Sequence, residues 1–166
     1  MIDEIDKKIL NLLQENARIS NAEIARRIKM APSGVLERIR KLEKKGIILG
    51  YETRLNHKKL GLVLTVLILV KTKDAVGSSK IGEDIAKINE VQEVFYIAGE
   101  YNYLVKARVS DTDNLKELLK KFGDIGGVVD TRTTLVIDEL LETLKLDLDG
   151  IGVKNKGLRK SKQDQK

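Results

Sequence analysis

A group of basic and polar residues between positions 33 and 44 has the clearest chemistry in this sequence. At about 100° per helical residue, these residues share the side of a helix that faces away from its apolar stripe. Lysine and arginine there can neutralise phosphates, and arginine can also bridge O6 and N7 of guanine. The residues on this side or its flank are Ser33, Gly34, Glu37, Arg38, Arg40, Lys41 and Lys44. We predict that they contact double-stranded DNA.

These residues differ in what they can contact. Ser33 lies at the start of the helix, where free N–H groups can bind a phosphate. Glu37 repels phosphate, so in contact with DNA it would accept from N4 of cytosine or restrain Arg40. Arg38 lies on the flank, nearer to the core than to the exposed side. The alternative is that the basic residues are only a solvated surface, which is the usual role of a charge run.

Two short amphipathic helices with a tight turn between them are predicted to position this surface. The first helix begins at Ser20, and Glu23 three residues later completes the pattern of a capping box. The second begins near Pro32, which is tolerated in a first helical turn because its missing N–H would have no partner there. Its apolar stripe is Val35, Ile39 and Leu42, widened by Leu36. Two helices at this spacing are typical of a helix-turn-helix that enters DNA.

The residues on either side of these two helices support the same interpretation. Residues 46–55 have glycines at both ends of a β-prone run and a second run after it, which predicts a small hairpin, or wing. Residues 1–18 predict a preceding helix with Ile5, Ile9, Leu12 and Leu13 on one side. A third helix is expected because two short helices cannot bury their own apolar sides. Residues 1–55 are therefore predicted to form a winged helix-turn-helix domain.

Composition excludes several classes of function. The 166 residues include no cysteine and a single histidine, so disulfides, zinc–thiolate sites and thiol nucleophiles are excluded and no metal site is expected. The longest apolar run, residues 62–70, is far shorter than the roughly 20 residues that span a bilayer as a helix. We expect no membrane partner and a soluble protein of the cytoplasm, associated with the nucleoid.

Charge is distributed unevenly along the chain. Residues 1–58 carry 13 basic and 8 acidic side chains, residues 59–144 carry 11 and 14, and residues 145–166 carry 7 and 3. A basic first domain beside a mildly acidic second one indicates that a polyanion binds the first domain. Residues 145–166 read as a basic polar tail that is flexible, and GLRKSKQDQK would either add non-specific DNA affinity or only aid solubility.

A second domain is predicted over residues 62–144, after a polar linker at residues 56–61. Strand patterns cover residues 62–70, 94–98, 103–109 and 128–137, and helical stripes are formed by Ile81, Ile85, Ile88 and by Leu115, Leu118, Leu119, Phe122. The order β-α-β-β-α-β is that of a ferredoxin-like domain, in which both helices cover one face of the sheet. The first strand is apolar at nearly every position, so its other face also needs a cover. A second copy of the sheet is the simplest cover, which predicts a homodimer.

Several stretches of the chain resemble the Lrp/AsnC (feast/famine) family. They are DEIDKKILNLLQENAR, the capped helix-turn-helix, RIRKLEKKGIILGY, GEYNYLVKARVSD and GGVVDTRTTLV, which together extend over roughly residues 2–138. The resemblance implies an α+β protein whose winged helix-turn-helix precedes a RAM/ACT-like, effector-sensing domain. It further implies a transcriptional regulator that is not an enzyme, dimers that assemble into rings of eight, and an amino-acid effector bound between dimers.

The resemblance also places an effector site, with departures from the family pattern. By similarity, the effector residues are Gly99, Tyr101, Asn102, Thr131, Thr133 and Thr134. Two aspartates of the family turn are replaced by Glu100 and Asn102, and an amide offers an ammonium group only a neutral acceptor. The effector would then bind weakly, be something other than a free amino acid, or be absent. The alternative is a plain β-turn without a ligand.

A further departure lies at the start of the recognition helix. Ala31 stands where the family usually has a capping serine, and Gly34 lies in the first turn. A lost cap costs roughly 0.5–2 kcal/mol. We therefore hypothesise that this turn becomes ordered only when phosphates bind its free N–H groups.

Other classes of function remain as alternatives. One is an architectural DNA-binding protein without an effector, and another is a stand-alone amino-acid sensor or RNA-binding module. Siroheme decarboxylases have a similar architecture but use histidines and an aromatic-rich pocket, whereas this chain has one histidine and six aromatic residues. No cofactor is expected.

Overall fold

The computed structural model describes residues 2–75 and 77–151, which fold as two compact units. The first unit contains the described residues up to Thr53 together with those from Glu142 onward, and the second is Arg54–Leu141. Within these residues, no helix is long and apolar enough to cross a membrane. The same residues contain no group of three or more metal-ligating side chains placed to hold an ion.

Three helices form the first unit: α1 (Glu4–Glu15), α2 (Asn21–Ile28) and α3 (Pro32–Lys44). They surround a core of Ile9, Ile24, Ala25, Val35 and Ile39. The apolar stripes predicted from the sequence therefore face one another, as helices too small to fold alone require.

The helix starts follow the sequence signals with one difference. The Ser20 Oγ accepts a hydrogen bond from the Glu23 N–H at 3.1 Å, which is half of the predicted capping box. The Glu23 carboxylate does not return the bond, because it pairs instead with Arg26 and Arg27, at 2.7 Å in each case. A complete capping box is found at α1, between Asp3 and Asp6. Helix α3 has Pro32 in its first turn and no side-chain cap from Ala31.

The hairpin predicted after α3 is wrong, since none of residues 46–55 is in a strand. The chain instead closes back onto the helix, where the N–H groups of Gly46 and Ile47 donate to the carbonyls of Glu43 and Leu42, both at 2.9 Å. Tyr51 then donates its hydroxyl to the Glu43 carboxylate at 2.9 Å. These bonds to α3 take the place of cross-strand pairing in this segment.

The second unit is a four-stranded antiparallel sheet with two helices. After a 3-10 turn (Lys58–Leu60), its elements are β1 (Leu64–Thr72), α4 (Lys80–Ile85), β2 (Val91–Tyr96), β3 (Tyr103–Val109), α5 (Thr112–Asp124) and β4 (Val128–Leu135). The strand order across the sheet is β2-β3-β1-β4. The predicted β-α-β-β-α-β order is confirmed, and β1, β2 and β4 differ from the prediction by two or three residues at their ends.

Helices α4 and α5 cover one face of this sheet. Its core contains Val66, Ile68 and Val70 of β1, Val105, Ala107 and Val109 of β3, and the helical residues Ile81, Ile85, Leu118 and Phe122. The opposite, open face carries Leu67 and Leu69 of β1 beside Leu104 of β3, and Phe95 of β2 lies next to Leu104. Phe95 is 49% exposed.

The chain after β4 does not follow the sequence predictions. Leu140, Leu141 and Leu144, which suggested a further helix or strand, lie in neither and are almost fully exposed. Within residues 145–151, which we predicted as part of a basic polar tail, Leu148 is buried against α1 and α3 of the first unit. The remaining residues of the predicted tail, 152–166, lie outside the described part of the chain.

Candidate nucleic-acid interface and effector site

Helix α3 presents one charged side to solvent. Burial of Val35, Ile39 and Leu42 fixes the rotation of the helix about its axis. The side chains of Ser33, Glu37, Arg40, Lys41 and Lys44 are consequently exposed, and Gly34 is half-buried. The helical period of the sequence thus predicted this arrangement correctly, including the flank position of Arg38.

Arg38 is engaged within the first unit, which the sequence did not reveal. Its Nη1 donates to the Asp3 Oδ2 at 2.7 Å and to the Asp6 Oδ1 at 2.8 Å. These hydrogen bonds raise the pKa of the guanidinium above its usual value, with Asp3 contributing most. Arg38 therefore fastens α3 to the start of α1, and any contact with DNA would require it to leave both carboxylates.

The exposed cations of α3 are in two different states. Lys41 pairs with Glu37 at 2.6 Å, and this hydrogen bond lowers the pKa of the Glu37 carboxyl. The side chains of Arg40 and Lys44, by contrast, form no hydrogen bond or ion pair with other described residues. Their charges are available to an external anion, and the N4 of a cytosine would have to compete with Lys41 for Glu37.

The proposed effector turn is tightly bonded to the sheet. Gly99 has a φ of 149°, in the region that favours glycine. The Asn102 Oδ1 accepts from the Thr72 N–H at 2.7 Å, and the Asn102 N–H donates to the Val70 carbonyl at 2.9 Å. The amide oxygen that we expected to face an effector therefore has a partner in β1. Glu100 lies 3.5 Å from Lys71 in an exposed ion pair.

The three threonines of β4 do not lie together. Thr131 and Thr133 are opposite Val70 and Ile68, which point to the helix-covered face, whereas Thr134 is opposite Leu67 of the open face. Only Thr131 is level with the turn, because Val70 is bonded to Asn102 on its other side. Tyr101 of the turn is half-buried. In the single chain, Thr133 therefore lies two residues along the same face from Thr131 and Thr134 lies on the other face, so neither of them is level with the turn.

A polar network that sequence reasoning missed lies at one end of the open face. Glu139 bonds to the Arg108 Nη2 at 2.9 Å, the Thr65 Oγ1 at 3.0 Å and the His57 Nε2 at 2.8 Å. Arg108 and Thr65 are both buried. The hydrogen bond from Arg108, helped by those from His57 and Thr65, holds the pKa of Glu139 at about 2 against the opposing effect of burial. No sequence spacing indicates this network, because its members come from four separate segments.

The chain has a helix-turn-helix with an exposed basic recognition helix, and a separate ferredoxin-like domain. Together these features define the class of two-domain DNA-binding regulators. Comparison with known sequences agrees with this class. Residues 2–48 match a family model described as winged helix-turn-helix DNA-binding, and residues 65–146 match one described as Lrp/AsnC ligand binding domain.

Individual relatives identify the family. The leucine-responsive regulatory protein of Haemophilus influenzae is 38% identical over 146 residues, covering 86% of this chain and 87% of that protein. The Escherichia coli K12 protein of the same name is 35% identical over 148 residues, covering 87% and 90%. The chain belongs to the Lrp/AsnC family of transcriptional regulators.

Solved structures share the fold over nearly the whole chain. A transcriptional regulator from Neisseria meningitidis, in complex with L-methionine, is 32% identical with a TM-score of 0.81, covering 90% of this chain and 98% of that one. Escherichia coli AsnC is 28% identical with a TM-score of 0.78, covering 86% and 96%. The predicted fold class, a winged helix-turn-helix followed by a ferredoxin-like domain, is thus confirmed by the family, although residues 46–55 of this chain form no strand.

Proposed function

We propose that this Lrp/AsnC-type regulator reads specific DNA sequences through the exposed side of α3, working at the nucleoid in the cytoplasm. The observation that carries the proposal is that Arg40 and Lys44 are exposed on α3 without a partner among the described residues. Arginine can discriminate guanine in the major groove, whereas lysine acts on phosphates mainly as a point charge. Ser33, Gly34, Glu37 and Lys41 lie along the same side and complete the surface.

We further propose that two chains form a homodimer through the open faces of their sheets. Leu67, Leu69 and Leu104 form an apolar centre on that face, with the exposed Phe95 at its side. Two such faces would cover one another, as stacked sheets do. The two copies of α3 would then read half-sites about one helical turn apart, or a multiple of that. Assembly of four dimers into an octamer is the corresponding proposal for larger DNA complexes.

The effector is proposed to be an amino acid. Two regulators of similar fold, from Neisseria meningitidis and Mycobacterium tuberculosis, are complexes with L-methionine. In this chain, the turn with Gly99 and Tyr101 and the neighbouring Thr131 remain the best candidates for the site. Because Asn102 is bonded to β1, we propose that it shapes the turn and leaves the ligand to the other groups. Thr133 and Thr134 would take part only where another chain brings them close.

A footprint tests the proposal. Duplex DNA from upstream of the protein's own gene would be digested with and without the full chain, and again with L-methionine or L-leucine present. We expect protected patches spaced by about a helical turn, and a change in their extent with at least one amino acid. Uniform, strongly salt-sensitive protection would instead indicate an architectural DNA-binding protein. If neither amino acid changes the protected region, the result would contradict the proposed role of an amino-acid effector.

An enzymatic role is not part of the proposal. The relatives named above are transcriptional regulators, and the one histidine of this chain is bonded to Glu139 and to the Leu62 carbonyl. A change of absorbance on adding a tetrapyrrole would favour the decarboxylase alternative.

A further inference from the structure

A short segment beyond the second domain is attached to the back of the helix-turn-helix. Leu148 is 7% exposed and packs against Leu10 of α1 and Leu42 of α3, with Ile2 and Ile48 beside them. The preceding leucines differ sharply, since Leu144 is 81% exposed. Burial is therefore specific to Leu148 and does not reflect a general collapse of the apolar residues in this segment. We call residues 145–148 the C-terminal strap.

Gln14 of α1 fixes the position of the strap along the helix. Its Oε1 accepts from the Leu146 N–H at 2.6 Å, and its Nε2 donates to the Leu146 carbonyl at 3.1 Å. One side chain thus satisfies both backbone groups of Leu146, as a neighbouring strand would. Lys145 lies 3.7 Å from Glu15 in an exposed ion pair. A specific pair of hydrogen bonds and a buried anchor distinguish this docking from loose packing.

The strap reaches the recognition helix from its buried side. Leu42 lies in the same helical turns as Arg40 and Lys44 but faces the opposite way, towards Leu10 and Leu148. Helices in a packed core transmit small displacements as rigid elements. Loss of the Leu148 side chain would leave a cavity between α1 and α3, and α3 would settle into it.

We propose that the C-terminal strap is a positioning element of the DNA-binding unit, holding α3 at the depth and tilt at which Arg40 meets base edges. The inference rests on the proposed function of α3. It assigns to Gln14 and Leu148 a role in DNA recognition although neither lies on the DNA-facing side. Arginine bonds to bases need exact placement, whereas phosphate contacts tolerate a shift.

The test uses full-length variants and two duplexes of equal length, one carrying the footprinted sequence and one random. Leu148→Ala should weaken binding to the specific duplex at least about fivefold and to the random duplex by less than about twofold. A purely structural loss would lower the active fraction equally for both. Leu148→Met, which keeps the volume, should restore the ratio, and Leu144→Ala is the matched control at an exposed leucine.

Amide hydrogen exchange supplies the second readout. Leu148→Ala should accelerate exchange in α1 and α3 and leave β1 and β3 unchanged. If Leu148→Ala does not fold, Gln14→Ala removes the two bonds to Leu146, together with a 3.3 Å bond to Asn11 within α1, and should shift the affinity ratio in the same direction. An unchanged affinity ratio in these variants, whether or not exchange is faster, or an equal effect from Leu144→Ala, would overturn the inference. Failure of the proposed function would appear separately, as a wild-type chain with no preference between the duplexes.

Discussion

Arg38 shows how the role of a basic residue depends on its neighbours and not on its position in a charged run. Its guanidinium joins α3 to Asp3 and Asp6, the two residues that also cap α1. The Arg38 side chain therefore connects the recognition helix α3 to the start of α1. Arg40, two residues further on, has no such partner among the described residues.

Replacing Arg38 should reduce stability more than replacing Arg40. Arg38→Ala leaves the half-exposed Asp3 and the mostly buried Asp6 without their cation, at a cost of about 1–2 kcal/mol. The hydrogen bond from the Asp6 N–H, and after it the one from Arg38, hold the pKa of Asp3 below its usual value, so the part contributed by Arg38 is present at neutral pH and is lost as the pH falls. Thermal unfolding at neutral pH measures the effect, with Arg40→Ala as the control at an exposed cation. Equal melting temperatures for the two variants would contradict this assignment.

Glu139 should make the second domain sensitive to acid. The folded-state pKa of Glu139, about 2, lies below the ordinary value of 4.5. The ionised carboxylate therefore stabilises the fold above pH 4.5, and this stabilisation is lost between about pH 4.5 and 2. We expect Glu139→Gln to lose about 1–3 kcal/mol at neutral pH and to show a weaker dependence on pH in this window. Urea unfolding at several pH values measures both quantities. The exposed Glu117→Gln is the control, and parallel pH profiles for wild type and Glu139→Gln would refute the prediction.

The turn between β2 and β3 is an element whose shape depends on one amide. Asn102 replaces an aspartate of the family pattern, and its oxygen completes the bonding of Thr72 at the end of β1. Asn102→Ala should therefore cost about 1–3 kcal/mol by leaving the Thr72 N–H unpaired. Asn102→Asp should remain close to wild type, because a carboxylate oxygen can accept the same bond.

Chemical denaturation of the two Asn102 variants, beside the exposed control Glu100→Ala, distinguishes a structural role from a ligand-binding one. A stable Asn102→Ala protein that only loses its response to an amino acid would show that the amide acts on the ligand.

Sequence reasoning succeeded where the property depends on local periodicity. The helical stripe of Val35, Ile39 and Leu42 determined which side of α3 is exposed, and the order of strands and helices along the second domain followed from apolar patterns and turn residues. It failed where residues distant in sequence meet. Neither the Arg38 pair nor the docking of Leu148 has a local signal, and the β-prone run after α3 lacks a partner strand. Propensity alone could not reveal that this run closes onto Glu43 and Leu42.

For the molecule as a whole, the open face of the sheet determines the expected assembly. Leu69→Asp places a charge at the apolar centre beside Leu104. We expect it to shift the protein from dimers or larger multiples of the 18.6 kDa chain towards monomers, because burying an unpaired carboxylate is strongly unfavourable. Sedimentation equilibrium measures the mass. Lys116→Asp, on the exposed surface of α5, is the control, and a wild-type chain that sediments as a monomer would contradict the proposed dimer.

Sequence-specific reading by α3 is the central claim, and selection of bound duplexes from a random pool tests it most directly. The wild-type chain should enrich a two-fold symmetric sequence with half-sites about one helical turn apart. Arg40→Ala should still bind DNA but lose its base preference, with a loss of about 1–3 kcal/mol in binding free energy for the specific duplex. Lys44→Ala should select the same sequence but bind all DNA more weakly. No enrichment by the wild type, or the same sequence selected by Arg40→Ala, would contradict the account.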